Sequence, residues 1–317
     1  MAQRLMNGAR LWAICVVICV IYGGVKAADR VTGTIRFLMF DRCRVDSNQL
    51  VNVPDNNAAF AKSSCKPSEQ FAIIVHGWRE GTDSEWVVDM VSNFTAHRPG
   101  CVMVMHYANN SHTIDYFGEL LPHFDKLANV LAAHLRRMES IGFDPAKGHI
   151  FGFSMGAQLA LEGSRRFGLQ KINRIDACDP AGPGFDTVPE NMLLDPKQAA
   201  RQVQCIHTSA NFGTRRRDCH ISWNMGNCGR DQVAARPFPK GSHGLCPYFY
   251  NSAFVHRFHP VPKPKLCVSQ RLAHGWPREL RMGYHCDMNS GVSGELFSLT
   301  TRNFPFTDEQ VFDGTIP

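Results

Sequence analysis

Gly152-Phe153-Ser154-Met155-Gly156 sets a serine between two glycines, in the spacing of a sharp strand-to-helix turn. An apolar run, His149 to Phe153, precedes it, and the helix-compatible stretch MGAQLALEGSRRFG follows. Such an elbow needs glycines because neighbouring backbones crowd the turn, and it lifts the serine clear of the sheet. A serine hydroxyl is a weak nucleophile until a base takes its proton. The implied chemistry is acyl transfer, which also requires an acid, a base and donors for an oxyanion. The backbone N–H of Met155 is one candidate donor. FAIIVHGW supplies the other: a strand ends at His76, Gly77 relaxes the backbone and Trp78 offers its N–H. His76 itself reads as a buried, hydrogen-bonded histidine that shapes the loop. The candidate acid is Asp179, 25 residues after the serine in Ile175-Asp176-Ala-Cys-Asp179-Pro-Ala-Gly-Pro. It stands just past an apolar strand, where a carboxylate can orient an imidazole. Asp176 competes but lies within the strand.

The elements around these residues follow from periodicity. Val31 to Phe40, Phe71 to His76, Cys101 to His106, Gly148 to Phe153, Ile172 to Ala177 and Val203 to His207 are short β-rich runs and read as strands. Ser84 to Ala96 and Phe124 to Met138 carry apolar residues at helical spacing. Strands alternating with helices imply a mostly parallel central sheet with helices on both faces, in a single domain. Residues 208–247 interrupt the rhythm with Gly, Pro, Arg and cysteines and read as loop.

The chain has 317 residues, of which 44% are hydrophobic and 20% charged. Its mean hydropathy is −0.21. These values exclude a disordered acidic chain and a polytopic membrane protein. Arg4 and Arg10, the apolar run Leu11 to Tyr22, and the small residues Val25 and Ala27 have the form of a secretory signal. The apolar run is shorter than the about 20 residues that span a bilayer. Cleavage near Ala27 or Ala28 is expected, leaving 28–317 as the mature domain. The formal charge then falls from +6 to +3, because Arg4, Arg10 and Lys26 leave without any acid. The basicity thus argues for no nucleic-acid partner. Ten cysteines remain, an even number that reads as disulfides in an extracellular protein. Asn93-Phe-Thr and Asn109-Asn-Ser are glycosylation sequons.

IVHGW (74–78), HIFGFSMGAQLA (149–160), IDACDPAGPGF (175–185), VQCIHTSA (203–210) and GELFSLTTRNFPF (294–306) together resemble the pancreatic-type lipase family, which includes insect phospholipase A1-like enzymes and yolk proteins. The resemblance implies an α/β-hydrolase fold, a Ser–Asp–His triad in that order, and hydrolysis of lipid esters at a lipid–water interface. Carried over, Ser154 is the nucleophile, Asp179 the acid, and Trp78 with Met155 the oxyanion hole. The family shows Cys-Ser-His after a disulfide-bounded lid, whereas this chain reads Lys240-Gly-Ser242-His243-Gly-Leu-Cys246-Pro-Tyr248. Matching Ser-His makes His243 the base; matching the cysteine puts Tyr248 there, as in an inactive lipid-binding or storage protein. His256 and His259 fit less well. The lid stretch from Cys228 to Cys246 holds few bulky apolar residues beyond Val233, Phe238 and Leu245, and short lids resemble the phospholipase A1-type members. Arg215, Arg216 and Arg217 are candidates to meet anionic lipid heads. Cys219 with Cys228, and Cys267 with Cys286, are expected pairs, with other connectivities left open. His106-Tyr107 replaces the family's Asp-Trp, a packing change. Some members hold calcium in the stretch matching Glu190 to Gln198; Gln198 here replaces a carboxylate, so no cofactor is expected. The sequence ends at Pro317, so neither a C-terminal β-sandwich domain nor colipase dependence is expected.

Overall fold

A computed structural model describes residues 15–17, 31–41, 65–188, 194–235 and 240–308. Among them, one sheet of nine strands runs through the molecule. In chain order the strands are β1 (Cys15–Val17), β2 (Arg36–Asp41), β3 (Phe71–Val75), β4 (Cys101–His106), β5 (Gly148–Phe153), β6 (Ile172–Cys178), β7 (Ala200–His207), β8 (Ile221–Met225) and β9 (Gly294–Ser298). Their spatial order is β1-β2-β4-β3-β5-β6-β7-β8-β9. β2 pairs antiparallel with β1 and β4, and every pairing from β4 to β9 is parallel. β1 falls within the segment read as a signal, so cleavage near Ala27 would leave β2 as the sheet edge.

Side chains alternate across a strand, so both faces of a doubly covered sheet must be apolar. Phe71, Ile73 and Val75 join one core cluster, together with Cys101, Met103 and Met105. Ala72, Ile74, Val102 and Val104 join the other. Four helices seal the faces. α1 (Glu85–His97) and α4 (Cys246–Ser252) bury Trp86, Met90, Phe94, Phe249 and Tyr250 against the second cluster. α2 (Phe124–Ser140) and α3 (Met155–Phe167) bury Leu127, Leu131, Leu135 and Ala160 against the first. This is an α/β-hydrolase architecture. The carboxyl ends of β3, β5 and β6 share one edge, where His76, Ser154 and Asp179 follow directly. No helix among the described residues is long and apolar enough to cross a membrane.

Two expectations need correction. The stretch 208–247 contains β8, a fully buried strand between β7 and β9. That strand also redirects the disulfides. Cys205 in β7 pairs with Cys219, because Cys205 lies beside Ser222 in register and Cys219 stands two residues before β8. Cys228 pairs with Cys267, and Cys286 keeps a buried thiol whose pKa burial pushes up to about 12. The expected pairs Cys219–Cys228 and Cys267–Cys286 are therefore not formed. Cys65–Cys101 and Cys178–Cys246 complete the bridges among the described residues. The segment from Cys228 to Cys246 is consequently not closed by a bridge between its own ends.

The sequons differ in setting. Asn93 lies inside α1, where its side-chain amide donates to Asn251 Oδ1 at 3.1 Å. Asn109 is exposed in a helical turn after β4. A glycan on Asn93 would consume the nitrogen that makes this bond. Folded protein from a eukaryotic secretory host is expected to carry glycan on Asn109 and none on Asn93. Peptide mapping after enzymatic deglycosylation checks this; deamidation at 93 would contradict it.

Candidate active site

Ser154 sits at the junction of β5 and α3 with φ 58° and ψ −122°. A non-glycine residue in that region is strained by about 1–3 kcal/mol and persists only where its surroundings over-determine it. The surroundings here do so. Ser154 donates its N–H to Cys178 O at 3.0 Å, and its carbonyl accepts the N–H of Ala181 at 3.1 Å. A Cβ on Gly156 would lie 2.2 Å from the Val75 and His76 carbonyl oxygens, and one on Gly152 would lie 2.5 Å from Gly156 O. Neither position tolerates a side chain, which accounts for both glycines of the elbow.

His243 lies in a helical turn, Gly241–Gly244, with its ring against Phe153 and Phe212. Its Nε2 is 2.8 Å from Ser154 Oγ, and its Nδ1 is 2.7 Å from Asp179 Oδ2. A carboxylate only accepts, so Nδ1 carries the proton and Nε2 is left to accept from the serine hydroxyl. Asp179 is fully buried and well solvated by protein: Oδ1 accepts the N–H groups of Thr208 and Ser209 at 2.8 and 3.2 Å, and Oδ2 accepts the Ser209 hydroxyl at 2.5 Å. Ser209 is not among the residues the sequence assigns a role; its signal there is its place in VQCIHTSA, as half of the polar pair Thr208-Ser209 directly after β7. The Cys178–Cys246 bridge ties the residue before Asp179 to a residue three past His243.

Met155 begins α3, so its N–H has no acceptor within the helix. The loop bearing Trp78 runs beside the elbow: a Cβ on Gly77 would lie 3.1 Å from Ser154 Cβ. His76 is fully buried, and burial pushes its pKa down to about 3, so it is neutral. Its Nδ1–H donates to Gly77 O at 3.2 Å, and Tyr107 stacks on the ring while its hydroxyl donates to His76 O at 2.5 Å. Tyr107 thus does the packing work at the position where the family has Trp. The Trp78 indole donates to Thr113 O and meets Tyr116 edge-on. Ile114, Phe117 and Phe212 are 83%, 64% and 40% exposed and give the surroundings an apolar rim.

The competing residues lie elsewhere. Asp176 is buried with His149, Arg174, Gln204 and Tyr250 as partners. Burial disfavours its charge, but Arg174 and His149 outweigh that and hold the carboxyl well below the usual range. Tyr248 is not in the Ser154–His243–Asp179 chain; its hydroxyl donates to Glu85 on α1 at 3.2 Å. His256 packs against Phe304. Arg217 is held by Asn224 and Arg216 by Asp218, which leaves Arg215 as the exposed member of the basic run. Asp195 caps the short helix Pro196–Gln198 by accepting from Lys197 N–H, and Glu190 lies outside the described residues. Among the described residues no group of three His, Cys, Asp or Glu side chains could hold a metal ion.

The sequence is similar to known lipases. The chain is 28% identical over 236 residues to pancreatic lipase-related protein 2 of Cavia porcellus, covering 69% of this chain and 51% of that protein. It is 30% identical over 184 residues to pancreatic triacylglycerol lipase of Mus musculus, covering 55% and 37%. It is also 28% identical over 205 residues to inactive pancreatic lipase-related protein 1 of Homo sapiens, covering 59% and 41%. The chain thus spans about half or less of the length of the curated relatives it matches. The family model for lipases matches residues 24–234, about two thirds of the sequence and including both Ser154 and Asp179. This chain belongs to the lipase family.

Proposed function

We propose that this chain is a secreted serine hydrolase that cleaves carboxylic esters of lipids, of the triacylglycerol lipase or phospholipase A1 type. The observation that carries the reading is the unbroken chain Ser154 Oγ, His243, Asp179, with links of 2.8 and 2.7 Å. In the proposed reaction His243 Nε2 takes the Ser154 proton as Oγ attacks the acyl carbonyl. Asp179 stabilises the imidazolium, and the N–H groups of Met155 and Trp78 receive the oxyanion. His243 then protonates the departing alcohol. A water, deprotonated by the same imidazole, attacks the acyl-enzyme and releases the fatty acid. These steps need no metal or organic cofactor.

An acyl substrate is supported by the apolar rim of Ile114, Phe117 and Phe212. The sparse apolar content of 228–246 favours a phospholipid over a gated triglyceride substrate. Secretion is supported by the signal-like first 27 residues and by four disulfides, which persist in oxidising compartments. Residues 28–317 would then form the mature hydrolase domain.

The test is turnover of a panel of short- and long-chain acyl esters, including phospholipids and triglycerides, by the purified secreted protein beside Ser154→Ala. Turnover lost in the variant is expected, and the preferred ester names the substrate class. A folded, lipid-binding protein that cleaves none of them would move the reading to a non-catalytic lipid carrier.

A further inference from the structure

Lys240 takes no part in the proposed proton transfers, yet it touches both loops that build the site. It stands three residues before His243, in left-handed backbone with φ 61° and ψ 12°. A lysine there carries a steric cost that a glycine would avoid. Its ammonium donates to Trp78 O at 2.7 Å and to Glu80 Oε1 at 2.7 Å. The other carboxylate oxygen, Glu80 Oε2, accepts the N–H of Gly77 at 3.1 Å. The pair is sheltered, with side chains 23% and 12% exposed. It bridges a gap of 160 residues in sequence, from the turn that carries His243 to the loop that carries Trp78.

The peptide planes explain what this bridge can do. Gly77 C=O accepts from His76 Nδ1–H. In a trans peptide the N–H points opposite to the C=O, so this bond already fixes the sense of the Trp78 N–H. The next carbonyl along, Trp78 O, is held by Lys240. With both carbonyls anchored and Gly77 N–H tied to Glu80, the plane containing the Trp78 N–H has little freedom to rotate. An oxyanion donor is useful only when it is already aimed at the place where charge develops.

We infer that Glu80 and Lys240 are a positioning pair: they aim the Trp78 N–H at the reacting carbonyl and register the oxyanion loop against the turn that carries His243. The inference rests on the hydrolase reading above. An ordinary ion pair of this exposure would add modestly to stability and leave the chemistry alone. A positioning pair acts on kcat.

The experiment compares Lys240→Met, Lys240→Arg, Glu80→Gln and the double variant Glu80→Gln/Lys240→Met with wild type and Ser154→Ala. The substrate is soluble p-nitrophenyl butyrate, so that binding to a lipid surface does not enter. Lys240→Met is expected to lower kcat by about 10- to 100-fold with KM within about twofold of wild type. Lys240→Arg, which keeps a cation and several donors, recovers most of that loss. Glu80→Gln retains an acceptor for Gly77 and loses a smaller part of kcat. The double variant falls no further than Lys240→Met, because groups that act as one unit are not additive. Unchanged kcat in Lys240→Met and Glu80→Gln would overturn the inference. So would a loss confined to KM or to the thermal midpoint, or a double variant equal to the sum of the singles. Should Lys240→Met fail to fold, Glu80→Gln still decides the matter, since an unchanged kcat there overturns the inference. An inactive wild type would sink the hydrolase reading and this inference with it, whereas an active wild type with unaffected variants sinks the pair alone.

Discussion

Replacing His243 with alanine is expected to lower kcat by about 10⁴- to 10⁶-fold, and Ser154→Ala should do the same. The two act as one device, so the double variant should be no slower than either single. The geometry behind this is direct: His243 Nε2 lies 2.8 Å from Ser154 Oγ, and no other imidazole reaches that hydroxyl among the described residues. Tyr248→Phe is the informative control. It removes only a hydroxyl that bonds Glu85 on α1, so turnover should stay near wild type. Stopped assays with the short-chain ester read all four proteins. A His243→Ala variant with near-normal kcat, or a Tyr248→Phe variant without activity, would reverse the assignment of the base.

Stability should fall steeply as pH drops below about 6.5, the ordinary value for histidine in an unfolded chain. Burial pushes His76 and His134 down to about 3 and His149 down to about 4. For His149 the neighbouring Asp176 offsets part of the burial effect. Each ring is therefore neutral in the fold but protonated in the unfolded chain between pH 6.5 and its folded value. Over that window the unfolded state binds more protons, and acid favours unfolding by up to about 1.4 kcal/mol per pH unit per histidine. Asp176 extends the trend with the same sign. Its folded carboxyl is held low, so the stability it contributes above about pH 4 is lost as pH falls further. Urea unfolding at pH 7.5, 6.0 and 5.0 should show midpoints that drop progressively, with little change from pH 7.5 to 8.5. A flat profile down to pH 5 would contradict it.

Local pattern carried much of this architecture. The elbow is legible because Gly152, Ser154 and Gly156 and their flanking strand and helix are contiguous in sequence. Asp179 is legible because it directly follows an apolar strand. His243 is different. Its place depends on a turn that folds back across 89 residues to meet Ser154, and sequence leaves two registers for that turn. The packing of α4 chooses between them by turning Tyr248 toward Glu85. β8 is hard to read from the sequence because ISWNM is five residues long and set among Arg, Gly and Cys. The disulfides are hidden with it, since strand adjacency, and not nearness along the chain, brings Cys205 to Cys219. The Glu80–Lys240 contact had no local signature at all.

The bridge between Cys178 and Cys246 makes oxidation part of assembling the candidate site, because it ties the residue before Asp179 to the turn after His243. Both cysteines are fully buried, while Cys228 of another bridge is only partly covered. Thiol–disulfide exchange needs access to a sulfur. A mild reductant will therefore open the outer bridge first and leave the staple beside Asp179 and His243 until the core itself opens. Loss of turnover in reductant then marks global unfolding, not a graded loosening of the site. The converse holds during synthesis: a chain that collapses correctly in a reducing compartment would bury its two thiols beside an acid and a base joined only by hydrogen bonds. Competence would depend on which compartment the chain folded in, as well as on its sequence.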